Sequence, residues 1–222
     1  MKKSLFIVAA LAAPAAAHPH IDSGPAVSAT GGQIVQFGVS HGCSGKDTVK
    51  ITINIPTGIS GVRGLYSPFG APTVTKNGTN VTSVTWEKAT FEAGDNTYPE
   101  FALRLTVADV PFTSIPFTIV QTCRDATGDT VATWDQPDDS TGNAAPRLLV
   151  VPPHAGGWNK YTVPVALTQD QVQQFFASSQ IVWRGTAAYT PNAAVAGLIA
   201  VTPGVTPLTD GLAAGDEIWV KY

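Results

Sequence analysis

Hydrophobic and polar residues alternate over short runs through the first two thirds of the chain, and a period of two predicts strands. Residues 33–40 form one such run. Residues 48–55 place Val49, Ile51, Ile53 and Ile55 on one face before Pro56-Thr57-Gly58 ends it. Residues 81–87 alternate less cleanly, whereas Phe101, Leu103, Leu105 and Val107 again share a face, and strand-like runs at 115–122 and 147–151 follow. Gly- and Asp-containing turns separate them, and no long helical period precedes residue 152. Short strands with frequent turns, and a cysteine pair able to link two of them, predict an all-β sandwich.

At Val151-Pro152-Pro153 the texture changes, and Ala155-Gly156-Gly157 adds a stretch expected to be flexible, which sets a domain boundary. Beyond it Thr168-x-x-Gln171 reads as a capping box opening a short amphipathic helix with Val172, Phe175 and Phe176. Residues 181–183 read as a strand, 193–200 as a second helix and 217–222 as a terminal strand. Residues 158–222 are therefore expected to form a small α+β module. So short a unit needs an efficient core, and Phe175, Phe176, Trp183, Leu198 and Trp219 are the expected core residues.

The first residues add a targeting signal. Lys2 and Lys3 precede an apolar run at 5–11, and Ala15-x-Ala17 has the small-residue pattern of a signal-peptidase site. The run is too short for a permanent membrane span. Cleavage between Ala17 and His18 would make His18 the first residue, although Ala13-Pro14-Ala15 offers a competing site. An N-terminal histidine can give both its α-amine and its ring Nδ1 to one ion, and nitrogen and carboxylate ligands in a roughly square set suit Cu(II). Pro19 has no backbone N–H, so a copper motif using His20 in third position with a deprotonated second amide is blocked. A plainer reading also stands, with His18 and His20 as solvated residues of a loose terminus.

Composition narrows the function classes. Without the signal, 205 residues remain, and loss of Lys2 and Lys3 leaves 11 basic against 16 acidic residues, a net of about −5 with His neutral. Nothing basic clusters, which argues against nucleic acid as a partner. No cysteine ends the signal and no membrane span follows it, so the expected product is soluble and periplasmic or secreted. Cys43 and Cys123, 80 residues apart with no C-x-x-C spacing, are expected to form a disulfide in an oxidising compartment, worth around 4 kcal/mol. The sequons at Asn77 and Asn80 carry no weight in such a chain. The only methionine, Met1, leaves with the signal, so soft thioether ligands for Cu(I) are missing.

Several motifs occur together and in order. His41-Gly42-Cys43-Ser44-Gly45 precedes the strand at 49–55 and Pro56-x-Gly58-Ile59, Pro99-Glu100-Phe101 opens another strand, and Val120-Gln121-Thr122-Cys123 stands ahead of Trp134. Over residues 18–151 this pattern resembles the YcnI-like (DUF1775) family of exported copper-binding proteins, and the C-terminal module lies outside the resemblance. The resemblance implies an immunoglobulin-like β-sandwich over residues 18–153 with one Cu(II). His18 would supply the amine and Nδ1, Glu100 the carboxylate, and Trp134 would stand beside the metal. An ionised Glu offsets the charge of the ion, whereas an indole is a donor and a poor ligand, so Trp134 would close one face of the site. His20 and Asp22, in an opening stretch more polar than the family's, are alternative ligands. His41 reads as structural, and residues 124–130 read as an extended turn between Cys123 and Trp134.

The function expected from this pattern is non-catalytic Cu(II) acquisition, buffering or delivery in the cell envelope, with other copper-trafficking proteins as partners. A copper enzyme such as a polysaccharide monooxygenase is the alternative, but it needs a second histidine ligand, and His20, His41 and His154 do not stand in stretches that read as binding strands. A metal-free envelope interaction domain is the third reading.

Overall fold

A computed structural model describes residues 18–94, 96–137 and 142–222; the signal segment and its cleavage pattern lie outside the described residues. In chain order the strands are β1 (Pro19–Ile21), β2 (Ala26–Val27), β3 (Gln33–Val39), β4 (Asp47–Asn54), β5 (Ile59–Gly64), β6 (Thr73–Asn77), β7 (Asn80–Glu87), β8 (Glu100–Val107), β9 (Thr113–Pro116), β10 (Ile119–Asp125), β11 (Gly128–Trp134) and β12 (Arg147–Val151). The C-terminal part adds β13 (Trp158–Thr162), α1 (Gln169–Phe175), β14 (Ile181–Arg184), β15 (Ala187–Tyr189), α2 (Ala193–Val201), β16 (Thr206–Pro207) and β17 (Glu217–Lys221).

Two antiparallel sheets, ordered β1-β3-β8-β5 and β11-β10-β4-β7-β6, face each other. In chain order the strands of the first are the A, B, E and D strands of an immunoglobulin-like sandwich, and β11-β10-β4 its G, F and C strands. The expected β-sandwich is therefore present, with the hairpin β6-β7 inserted between the D and E strands and paired to β4, and with a separate three-stranded sheet ordered β2-β12-β9. Alternation builds its core. Val49, Ile51 and Ile53 of β4 and Phe101, Leu103, Leu105 and Val107 of β8 are all buried, together with Trp86, Phe37 and Phe117. The expected disulfide joins Cys43, in a 3₁₀ turn after β3, to Cys123 in β10, with Cα atoms 5.5 Å apart.

Residues 124–130 do not form an extended turn. Asp125 pairs with Gly128, so β10 and β11 are joined by the two residues Ala126 and Thr127, and Arg124 closes on Asp129 across the strands with two hydrogen bonds of 2.6 and 2.9 Å. Polar residues on an exposed edge hairpin lack the apolar alternation that marks a strand. The sequon residues Asn77 and Asn80 flank another two-residue turn, led by Gly78 at φ 60°, a conformation that a glycine adopts without steric cost.

The C-terminal sheet runs β13-β17-β14-β15-β16, with α1 and α2 packed in the same unit. The capping box forms as expected: Thr168 Oγ1 accepts from the Gln171 N–H at 3.3 Å, and Gln171 Oε1 from the Thr168 N–H at 2.9 Å. The core differs from expectation. Phe175 and Phe176 are buried, but Leu198 and Trp219 are 63% and 49% exposed and Trp183 is half-buried. For the two tryptophans the cause is strand parity, whereas Leu198 lies on α2, which buries the adjacent Ile199 instead. Ile218 and Val220 point inward and leave Trp219 on the opposite face, as Val182 does for Trp183. The interior is filled by aliphatic residues, among them Val163, Leu167, Val172, Leu208 and Leu212.

The module and the sandwich share that interior. Phe112 and Val151 belong to the same buried cluster, and Phe112 sets its ring 5.9 Å from Phe176 and 6.1 Å from both Phe175 and Tyr161. Its backbone is left-handed at φ 61°, a strain of about 1–3 kcal/mol for a bulky residue. Burial of the ring offsets it. The connecting stretch is tied down as well: Gly157 and Tyr222 exchange backbone hydrogen bonds of 3.0 Å, and His154 stacks on Tyr222 at 3.8 Å.

Candidate metal centre at the chain start

Pairing of β1 with β3 fixes which side chains face out. Pro19 is buried and Ile21 packs on the core, so His20 points away from it. His18, just before the strand, is half-buried and meets Trp134 edge-on, with ring centroids 5.1 Å apart and planes at 71°. Its Nδ1 is buried and has no hydrogen-bond partner. Leaving such a nitrogen unsatisfied costs about 1–3 kcal/mol, a cost that a bound group supplying its partner would remove.

Trp134 closes β11 and is itself held from behind. Its Nε1 donates to Gln121 Oε1 at 3.0 Å, and Gln121 Nε2 donates to the His41 carbonyl and to Thr48 Oγ1, both at 2.9 Å. Gln121 is fully buried on β10. The indole N–H is thus engaged by Gln121 within the protein and is not spent on His18. The His41-Gly42-Cys43 motif serves this arrangement from its backbone, with the His41 carbonyl on Gln121 and Cys43 in the disulfide.

Glu100 is the first residue of β8. Phe101 is buried, so Glu100 is directed outward, and the register His20↔Gly38↔Glu100 puts these three residues in one row across the sheet. The Glu100 carboxylate takes no hydrogen bond or ion pair among the described residues. Gly38, between the two, is required by space: a Cβ there would collide with the Tyr98 hydroxyl and the Asp22 carboxylate.

His20 and Asp22, by contrast, are already occupied. Tyr98 donates to Asp22 Oδ2 at 2.8 Å and lies 2.6 Å from His20 Nε2, which is also 3.0 Å from Asp22 Oδ1. His20 Nδ1 lies 3.1 Å from the His18 carbonyl. Burial first, then the hydrogen bond to Asp22 and the charges of Asp22 and Glu100, push the Tyr98 hydroxyl up to about 12. It therefore keeps its proton at neutral pH and stays a donor.

The structure thus brings His18 to Trp134, sets Glu100 on the outer face of the same sheet end, and ties His20 and Asp22 to each other. His154 lies elsewhere, against Tyr222. Among the described residues no three His, Cys, Asp or Glu side chains are grouped as metal ligands. A site here would draw on the main-chain amine of His18 as well as on side chains. Gln121 and Tyr98 are the two residues to which sequence reasoning gave no role. A glutamine at a core-facing strand position was the available sign for the first; the second, in a polar stretch before a strand, had none.

No curated protein matches the chain. A crystal structure of an uncharacterized protein from Nocardia farcinica, described as revealing an immunoglobulin-like fold, is 22% identical, covers 60% of this chain and 98% of its own, and superposes with a TM-score of 0.49. Residues 20–150 match the family described as a domain of unknown function, DUF1775, and because they make up more than half of the chain, the protein belongs to that family.

Proposed function

We propose that the protein is an exported Cu(II)-binding protein acting in copper acquisition, buffering or delivery, with no catalytic turnover of its own. The observation that carries this reading is the buried, partnerless Nδ1 of His18 at the residue where signal cleavage would free an α-amine. Amine and Nδ1 of one residue form a chelate, and Glu100 on the outer face would add an anionic oxygen, a donor set that suits Cu(II). Trp134, with its N–H turned to Gln121, would shield one side of the ion.

Other features favour binding over catalysis. His20 has contacts at both ring nitrogens and His41 acts through its carbonyl, so no second imidazole stands ready beside His18. The disulfide accords with an oxidising compartment, and no helix among the described residues is long and apolar enough to cross a membrane. The test is intact-mass analysis and copper titration of the processed protein, followed by incubation with reductant, oxygen and glycan. The expected result is a mass beginning at His18, one Cu(II) per chain and no oxidised oligosaccharide above the free-copper background. Oxidised products that vanish when His18 is replaced would overturn the binding reading in favour of an enzyme.

A further inference from the structure

The C-terminal sheet carries three tryptophans on the face turned away from its core. Trp158 of β13 and Trp219 of β17 are 52% and 49% exposed, and Trp183 of β14 is half-buried. Their strands are neighbours in the order β13-β17-β14. Trp219 stands directly opposite Trp183, while Trp158, opposite Lys221, lies on the diagonal from Trp219. The three indoles alone line a depression of about 430 Å³. Trp86 and Trp134, the other two of the five tryptophans, are buried in the sandwich, so the exposure belongs to this face and not to the residue type. A contiguous exposed aromatic patch marks a binding surface.

We propose that this face binds a neutral β-1,4-linked glycan. Shape is the first argument. The rings are fixed on adjacent strands and span about 10 Å, two strand spacings, which makes a rigid, open platform. A β-1,4-linked chain of hexopyranoses with equatorial substituents is a flat ribbon whose ring faces carry only axial C–H groups. Those hydrogens are slightly positive and meet the negative faces of the indoles, the same electrostatic preference that orients aromatic contacts.

Charge is the second argument. Lys160, directly opposite Trp219, pairs with Glu217 two residues away on β17 at 2.7 Å, so the two cancel. Lys221, opposite Trp158, adds a cation at the margin. With positive charge at its edge and no carboxylate lining it, the depression is ill suited to a quaternary ammonium, and with Lys160 paired the cation left at the margin, Lys221, is a weak draw for a polyanion. At the rim, Lys160, Glu217 and Thr162 offer hydrogen-bonding groups to the hydroxyls along the ribbon's edges. A bilayer is a poorer fit, because these indoles stand within strands around a depression and do not project from a loop.

The proposal rests on the C-terminal sheet and is independent of copper. It is tested on the full processed chain by calorimetric titration with chitohexaose and cellohexaose and by retention on insoluble chitin and cellulose, with EDTA present. Saturable binding to at least one of these glycans is expected, with a change in tryptophan fluorescence. Trp219→Ala should weaken it about tenfold or more, as loss of a stacking ring does elsewhere, and Trp158→Ala to a smaller extent. Both side chains are half exposed, so an unchanged thermal transition is expected to show that each variant is folded. A folded wild-type chain that binds neither oligosaccharide and is retained on neither polymer overturns the proposal. So does unchanged glycan binding in the folded Trp158→Ala/Trp219→Ala double variant. Binding to phosphatidylglycerol vesicles, or concentration-dependent dimerisation, that is lost in Trp219→Ala while glycans fail to bind would assign the face to a membrane or to a second copy instead.

Discussion

His18 and His20 are two residues apart and differ in what surrounds them. His20 faces Tyr98, Asp22 and a carbonyl, whereas His18 Nδ1 is enclosed against Trp134 with nothing to bond to. An ion that replaces a missing partner gains more than one that must displace an existing hydrogen bond. Glu100 is the second group of the proposed site, since its exposed carboxylate takes no hydrogen bond or ion pair among the described residues. Glu100→Gln is therefore expected to lower Cu(II) affinity about tenfold or more while the thermal transition stays in place, because the side chain is exposed and supports no packing. Trp134→Phe should alter the Cu(II) spectrum and leave Gln121 Oε1 without its indole partner, and an unchanged spectrum would mean that the ring only fills the core.

At the level of elements, the strands that were legible are those buried on one face. β4 and β8 alternate because one face of each is core, and a capping box opens α1 at the expected residue. β5, β6 and β11 escaped notice because their residues are mostly exposed and polar, so nothing in the side-chain pattern distinguishes strand from turn. The same parity explains Trp219: large apolar residues at successive positions of β17 cannot all be core, and alternation sends the tryptophan outward. For the candidate site, His18 and Glu100 came from motifs and from the Ala-x-Ala pattern. Gln121 and Tyr98 act through long-range packing that only the folded chain assembles. The disulfide links β10 to the turn ahead of β4, so Cys43→Ala should cost around 4 kcal/mol in chemical denaturation, while Cu(II) stoichiometry of the folded fraction remains one.

Across the whole molecule the sandwich and the C-terminal module are expected to unfold together, since Phe112 and Val151 close one shared cluster. Phe112→Ala should remove about 3–5 kcal/mol and split a single calorimetric transition into two. Alkaline pH acts on the same region. Burial first, then the neighbouring Tyr161, raises the Tyr222 hydroxyl above the ordinary tyrosine range, and burial raises that of Tyr161. A raised folded-state value means that this contribution to stability is complete below the unfolded value of about 10 and declines as pH rises past it. The melting temperature should accordingly fall above about pH 10. Tyr222→Phe should lessen that fall without loss at neutral pH, because the Tyr222 hydroxyl is buried without a partner.

In the proposed site the amine at the start of the processed chain is itself a ligand, and one comparison tests it. Two forms are prepared, one beginning at His18 and one retaining Ala17 before it, and each is titrated with Cu(II) against a competing chelator. The account predicts one tightly held ion in the first form and far weaker binding in the second, with both equally folded, because the extra residue converts the His18 amine into an amide and breaks the chelate. Equal affinity in the two forms would contradict it.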